Sequence, residues 1–292
     1  MVLESIFSAA MAKKHSVLMF ILGALLSTAG IWTSYYIFPQ YTGVLAIAFV
    51  TIGATPIIHK IILLETEVES CTPGWAIGFL ARHFCIVKVY AWLTIGLIAS
   101  FSFWYAVLPI AVPAHCPNGG IECMVPVRGT VFLEQEKTFS AITGQATGGI
   151  GMAECKNPET RDFGKCFTLI FENNAIVLGL AILFSFIYGA GAIFLIGWNA
   201  SVIGVFIGKE VLDVHILAGI MRGIGYLPHG IFELGGYFVG AIAGGIISVA
   251  ATRGGFTSAG FRRIAKDTLF LLLIAYGLLL IGAAVEVWLI MG

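Results

Sequence analysis

Charged side chains are scarce in this chain. Lys, Arg, Asp and Glu make up 11% of the 292 residues, less than half of the roughly 25% found in an average soluble domain. So few polar groups cannot cover a water-facing surface, which excludes a soluble globular fold. Neither sign is in excess. Sixteen basic residues balance sixteen acidic ones and no basic block stands out, so nucleic acid is excluded as a partner. Disorder needs low hydrophobicity and high net charge, whereas this chain is 59% apolar with a mean hydropathy of +0.96. The familiar catalytic patterns are missing too. The chain has no G-K-[ST] phosphate loop, no H-E-x-x-H and no G-x-S-x-G. Gly148-Gly149-Ile150-Gly151 is glycine-rich but lacks the strand-then-helix setting of a nucleotide site. No cofactor or metal is expected.

What remains is an all-α, polytopic transmembrane helical bundle. A helix needs about 20 apolar residues to cross a bilayer core. Residues 17–38, 43–64, 89–112, 174–197, 228–250 and 268–290 qualify, with Glu233 and Glu286 as the acids inside the last two. The stretch 199–221 is weaker. Its first half is apolar, but Lys209, Glu210, Asp213 and His215 follow. The first apolar run is too long for a cleavable leader, whose apolar core is about 7–15 residues, and is expected to stay as the first helix.

Basic residues in short loops favour the cytoplasm. Lys13 and Lys14 place the N-terminus inside, and Lys60, Arg82 and Lys88 place the second connection inside. Arg253, Arg262, Arg263 and Lys266 crowd the connection before the last span. That connection is cytoplasmic only if 199–221 also crosses, which gives seven spans in an integral cell membrane. The alternatives are a re-entrant segment, or an amphipathic helix over 209–222 lying on the membrane surface. If the segment does cross, Lys209 and Asp213 are spaced to pair on one face.

The connection 65–88 opens with Glu65, Glu67 and Glu69, breaks at Pro73-Gly74, and continues with Trp75, Phe79, Leu80, Phe84 and Val87 among Arg82 and Lys88. It reads either as a helix on the inner membrane surface or as an ordinary connection. Residues 114–172 form the one long hydrophilic stretch, expected outside. They carry Cys116, Cys123, Cys155 and Cys166, an even number in an oxidising setting. Two local disulfides, Cys116 with Cys123 and Cys155 with Cys166, are the simplest of three pairings. A zinc site would want closer C-x-x-C spacing. Cys71 and Cys85 fall on the cytoplasmic side as thiols. Residues 124–133 alternate in a way that suits a small hairpin around Arg128-Gly129. This disulfide-stapled external loop is too small for an enzyme domain, and 114–172 is a plausible docking surface for a protein partner.

Glycine is abundant, 36 residues in all. Gly204 and Gly208, Gly219 and Gly223, and Gly236, Gly240 and Gly244 sit four apart. Such seams let helix backbones approach closely in lipid, either within one chain or between copies of a homo-oligomer.

Polar groups inside the spans are the functional candidates, because intramembrane ionisable residues are functional by default. His229 and Glu233 lie four apart on one helical face, shared with the glycine seam. In the seven-span arrangement Asn173, Asn174, His229, Glu233 and Glu286 converge at one level in the outer leaflet. The plainer reading is that His229 and Glu233 only cap a broken helix while Glu286 reaches the interface.

The segments Ile170-Phe171-Glu172-Asn173-Asn174, Trp198-Asn199 and Leu227-Pro228-His229-Gly230-Ile231-Phe232-Glu233-Leu234 resemble the stage II sporulation protein M family. Its members share an Asn-Asn start, a central Asn, here Asn199, and a Pro-His-Gly-x-x-Glu segment. The resemblance covers about residues 89–292, so residues 1–88, with two extra N-terminal helices, form an added part. The cysteine-bearing loop is also extra, and Ala200 follows Asn199 where the family often has Gly. The resemblance implies a membrane-embedded partner protein, which in endospore formers helps localise a peptidoglycan-degrading complex. It implies no catalytic residues. The expectation is therefore a non-enzymatic scaffold in a cell-envelope or membrane-remodelling complex. The alternative is a transporter or channel with a polar site at His229 and Glu233.

Overall fold

The computed structural model describes residues 12, 15–69, 76–110, 125–142, 154–155, 157, 159, 162–188, 191–213, 215–225, 227–254 and 259–291. Among them there is no strand, and the chain builds ten α-helices: α1 (Leu18–Ile37), α2 (Thr42–Glu69), α3 (Ala76–Val107), α4 (Arg128–Val131), α5 (Leu133–Ile142), α6 (Phe163–Tyr188), α7 (Ala192–Asp213), α8 (Ile216–Gly225), α9 (Leu227–Gly254) and α10 (Ala259–Met291). Among the described residues, seven helices are long and apolar enough to cross a membrane: α1, α2, α3, α6, α7, α9 and α10. The chain is a polytopic, integral membrane protein of all-α class.

Glycine contacts set the packing. A side chain at Gly23 would meet the Leu93 carbonyl at 2.6 Å, and one at Gly30 the Ala46 carbonyl at 2.7 Å. These approaches hold α1 against α3 and α2. The α1–α3 contact also carries hydrogen bonds: Trp104 Nε1 donates to Thr28 Oγ1 at 3.0 Å, and Thr28 Oγ1 lies 3.4 Å from Ser100 Oγ. Gly204 and Gly208 on α7 abut Phe101, Ser102 and Tyr105 of α3. Gly236 on α9 faces α10 at Ala275 and Leu279, and Gly240 and Gly244 face α6 at Leu178, Ile182 and Ser185. These seams are consumed within one chain. The result is a group of α1, α2, α3 and α7 joined to a group of α6, α9 and α10. One link is the Tyr90 ring stacked on Phe238 at 5.8 Å.

The bundle has two ends. Exposed Lys60, Lys88, Arg262 and Lys266 lie at one, here called the basic end. At the other lie the Cys155–Cys166 disulfide, α4, α5 and the last turns of α1, α3, α7 and α10. That disulfide end also holds exposed Tyr36, Phe38, Tyr41 and Trp288, an aromatic girdle of the kind that sits at a membrane interface.

Four expectations need correction. Residues 174–197 are not one span: α6 ends at Tyr188 and α7 starts at Ala192. The turn passes through Gly191, where a side chain would collide with the Phe184 carbonyl. Because of this shift, the weak stretch 199–221 is replaced by α7 plus the short α8. Lys209, Glu210 and Asp213 then fall in the last turn and a half of α7, where they reach polar surroundings instead of crossing the centre. The surface helix expected over 209–222 survives only as α8, whose Ile216, Leu217, Ile220, Met221 and Ile224 are exposed.

The surface helix expected between spans two and three is also absent as a separate element, since residues 76–88 continue without interruption into α3. The hairpin around Arg128-Gly129 is helical instead. Val131, Phe132 and Gln135 are buried at helical spacing, so the burial period is that of a helix and not of a strand. Cys116, Cys123, Cys71 and residues 148–151 lie outside the described residues, as do the side chains of Glu65, Glu67, Glu69 and Cys85.

Candidate functional site

Three helices meet around one polar knot near the disulfide end. From α6, Asn174 is buried and donates from Nδ2 to Glu233 Oε1 of α9 at 2.6 Å. One turn further along α9, buried Tyr237 donates its hydroxyl to Asn174 Oδ1 at 2.9 Å. From α10, the Glu286 carboxyl lies close to that of Glu233. Asn174 thus uses both ends of its amide, and each bond ties a different turn of α9 to α6.

The backbone makes room for this. Gly282 of α10 faces the Glu233 side chain: an added Cβ would lie 3.1 Å from Glu233 Cγ and 3.3 Å from Phe232 Cβ. A side chain there would drive α10 from α9 and separate the two acids. Pro228 opens α9, where its missing N–H costs nothing, and His229 follows in the first turn, half-buried. His229 and Glu233 share one face as their spacing implies, and a Cβ added at Gly282 would lie 3.5 Å from the His229 carbonyl oxygen.

The remaining predicted residues separate. Asn173 is exposed and reaches the knot only through a long 3.5 Å bond from its Nδ2 to Asn174 Oδ1. Asn199 is not part of it. On α7, its Nδ2 donates to the Leu195 carbonyl at 2.8 Å, a bond within its own helix. The member that sequence reasoning passed over as a donor is Tyr237. Its signal was available, since it lies four residues after Glu233 on the same face.

A second polar assembly went unread. Helices α4 and α5 do not float above the bundle but wedge between α2, α3 and α7. Gln135, fully buried, donates from Nε2 to the Gly43 carbonyl at 3.2 Å and to Ser201 Oγ at 3.3 Å. Phe132 meets the rings of Phe101 and Tyr105, and Phe139 stacks on Phe206 at 5.3 Å. Tyr105 donates to Glu136 Oε1 at 2.7 Å, and the Arg128 guanidinium lies 5.1 Å from the Tyr105 ring centre. Arg128 also donates from Nη2 to the Leu108 carbonyl at 3.0 Å. Lys209, expected to pair with Asp213, places its ammonium 5.7 Å from the Phe139 ring centre. Ser201 sits in the middle of α7, so the wedge enters the bundle from one end instead of lying on it.

The Cys155–Cys166 disulfide forms as expected, with a Cα–Cα distance of 5.6 Å. It is buried with Ile170 of α6 and Ala283 and Val287 of α10. It therefore anchors the chain entering α6 to the end of α10, one to two turns from the Glu233–Glu286 contact. Among the described residues, no group of three or more His, Cys, Asp or Glu side chains is placed to hold a metal ion.

A family model described as Stage II sporulation protein M matches residues 80–289. No curated protein and no solved structure matches the chain. The matched stretch starts inside α3 and contains the whole polar knot, the wedge, and α6 to α10. Helices α1 and α2 lie outside it.

Proposed function

From the premise that the chain belongs to the stage II sporulation protein M family, we propose that it is a non-enzymatic membrane scaffold, a partner in a cell-envelope or membrane-remodelling complex. The observation that carries this reading is the way the knot is satisfied. Asn174, Glu233 and Tyr237 use their polar atoms on one another, and Glu286 of the third helix lies beside Glu233. A hydrolytic site would hold a nucleophile or a metal with an open position. Here the polar atoms fix the relative placement of α6, α9 and α10, which is what a docking platform needs.

In this reading the disulfide end faces the outside of the cell membrane and the N-terminus lies in the cytoplasm. Two features support the orientation. A disulfide persists in an oxidising compartment, and basic residues at the opposite end suit the cytoplasm. In this reading the partner binds at the disulfide end, through residues 114–172. An impermeant thiol reagent then labels Glu154→Cys in intact cells and leaves Lys266→Cys unlabelled until the membrane is opened.

The deciding experiment is purification from native membranes. Replacing residues 114–124 and 143–153 by short Gly-Ser linkers leaves α4, α5 and the disulfide in place. The unaltered chain is expected to come out with a stoichiometric partner and the replaced chain without it. A bare protein in both cases would sink the scaffold reading.

One observation favours a second reading, transport. Glu233 and Glu286 are two neighbouring acids within a membrane-embedded cluster, and acids in such positions mark proton paths. Purified chain in tight vesicles would then pass protons down an imposed gradient, and Glu233→Gln would abolish the flux. Tight vesicles with and without the substitution leave the scaffold reading standing alone.

A further inference from the structure

Of the seven spans, α6 is the least enclosed. Only 28% of its crossing stretch is buried, against 72% for α9. Its open face is not uniformly apolar. Leu169, Asn173, Ile176, Leu180, Leu183 and Ile187 are all exposed, Ile176 at 64%. Their spacing alternates between four and three residues, the period of a helix seam that meets a partner helix.

Asn173 is the residue that needs explaining. A crossing of about 20 residues that ends at Ile187 begins near Thr168, so Asn173 lies about five residues, or about 7.5 Å, inside the hydrocarbon. The exposed faces of the neighbouring long helices are mostly apolar: Ile21 and Leu25 on α1, and Leu269, Leu273 and Leu280, with Tyr276 among them, on α10. Lipid chains suit those faces. They do not suit a carboxamide, since lipid leaves its donors and acceptor unanswered. The long 3.5 Å bond to Asn174 Oδ1 engages one donor of this exposed amide.

We infer that α6 carries a self-association seam, in which Leu169, Asn173, Ile176, Leu180, Leu183 and Ile187 pack against the same residues of a second copy. This goes beyond the scaffold reading and does not rest on it. The argument for a second copy is geometric. All copies of one chain in a membrane share one orientation, so two α6 helices related by a two-fold axis along the membrane normal run parallel. Equivalent residues then lie at equal depth. An asparagine amide both donates and accepts, so it complements itself across that axis, and a two-fold contact is self-complementary throughout. A single asparagine at a seam position is known to fix the register and number of associating helices. A foreign partner would need its own polar group at that same depth. Glu172 is also exposed, beside Asn173 at the edge of the seam, and its longer side chain reaches toward the interface. Gly204, Gly208, Gly236, Gly240 and Gly244 are already packed against helices of the same chain.

The test uses the full chain in lipid vesicles. A photo-crosslinking amino acid placed at Ile176 or at Leu183 is expected to join two copies of the chain. The same group at Leu273, on the exposed face of α10, gives no more than collisional background. Energy transfer between donor- and acceptor-tagged chains, followed while lipid dilutes the protein, measures the dimer directly. Asn173→Leu is expected to weaken it roughly three- to twentyfold, the loss of about one interhelical amide bond in lipid, and Asn173→Gln retains most of it. Chain that stays monomeric at every dilution overturns the proposal. So does crosslinking at Leu273 equal to that at Leu183, or a dimer unchanged by Asn173→Leu.

Discussion

Replacing Asn174 with Ala is the sharpest probe of the polar knot, because one side chain holds two helix-bridging bonds. It loses the 2.6 Å bond to Glu233 and the 2.9 Å bond from Tyr237. In a water-soluble core, stranding a buried carboxyl would cost upwards of roughly 3 kcal/mol for the two bonds together. A bilayer reduces this, since the unfolded chain in lipid also finds partners for its polar groups. Measured interhelical bonds there average about 0.6 and reach about 1.7 kcal/mol. Two such bonds give about 1–3 kcal/mol. The bilayer range is the relevant one, because both partners stay within the membrane in either state. The assay is reversible unfolding in lipid bicelles, run as a double-mutant cycle with Glu233→Ala. A coupling of about 0.5 kcal/mol or more is expected. Asn199→Ala serves as the internal comparison. Its bond runs to Leu195 of the same helix, so it costs under about 0.5 kcal/mol. If Asn174 and Glu233 prove additive within about 0.3 kcal/mol, or if Asn199→Ala costs as much as Asn174→Ala, the knot does not hold the three helices.

Four further outcomes follow from the structure. A Cβ at Gly244 would lie 2.6 Å from the Ile182 carbonyl oxygen, so Gly244→Val separates α6 from α9 and costs about 1–3 kcal/mol by overpacking. Gly179→Ala meets nothing within 4 Å and gains up to about 1 kcal/mol of helix propensity; bicelle unfolding reads both. A Cβ at Gly43 would fall 2.6 Å from Gln135 Oε1 and 3.0 Å from the Val131 carbonyl oxygen, so Gly43→Ala loosens the wedge. Hydrogen exchange in α4 and α5 should rise while exchange in α9 stays unchanged. Removing the disulfide with Cys155→Ser opens a loop with a sequence separation of 11, worth about 2–3 kcal/mol on the chain-entropy account. Proteolysis before α6 should then accelerate, with the spans left intact.

How much of this was legible depended on what kind of signal each element leaves. Long apolar runs announce α1, α2, α9 and α10 directly. The α6–α7 reversal left no such mark. It runs through Gly189-Ala190-Gly191, which contains no polar residue, so a hydropathy reading passes straight through and misplaces both helices. The two glycines were the available clue, since paired glycines punctuate a helix more strongly than hydropathy can show. The wedge was hidden for the opposite reason. Glu134, Gln135, Glu136 and Lys137 look like solvent-facing loop, and only the helical spacing of Val131, Phe132, Gln135 and Phe139 betrays a buried stripe. The knot was partly legible. The spacing of His229 and Glu233 and the depth of Asn174 and Glu286 pointed to one level of the bundle. Which of two adjacent asparagines turned inward could not be read from composition, because it depends on where α9 crosses α6.

The wedge also bears on how the chain is assembled as it is made. Gln135 binds Gly43, which precedes it, and Ser201, which follows it. On a ribosome, α2 and α3 are in the membrane when α4 and α5 emerge, but α7 is not. The amide of Gln135 therefore waits half-satisfied at the mouth of a three-helix intermediate until α7 arrives some sixty residues later. An insertion machinery that released the early helices singly into lipid would strand it there. The biogenesis of this protein accordingly favours holding α1, α2 and α3 together, with α4 and α5 tucked in, until α7 closes that end of the bundle.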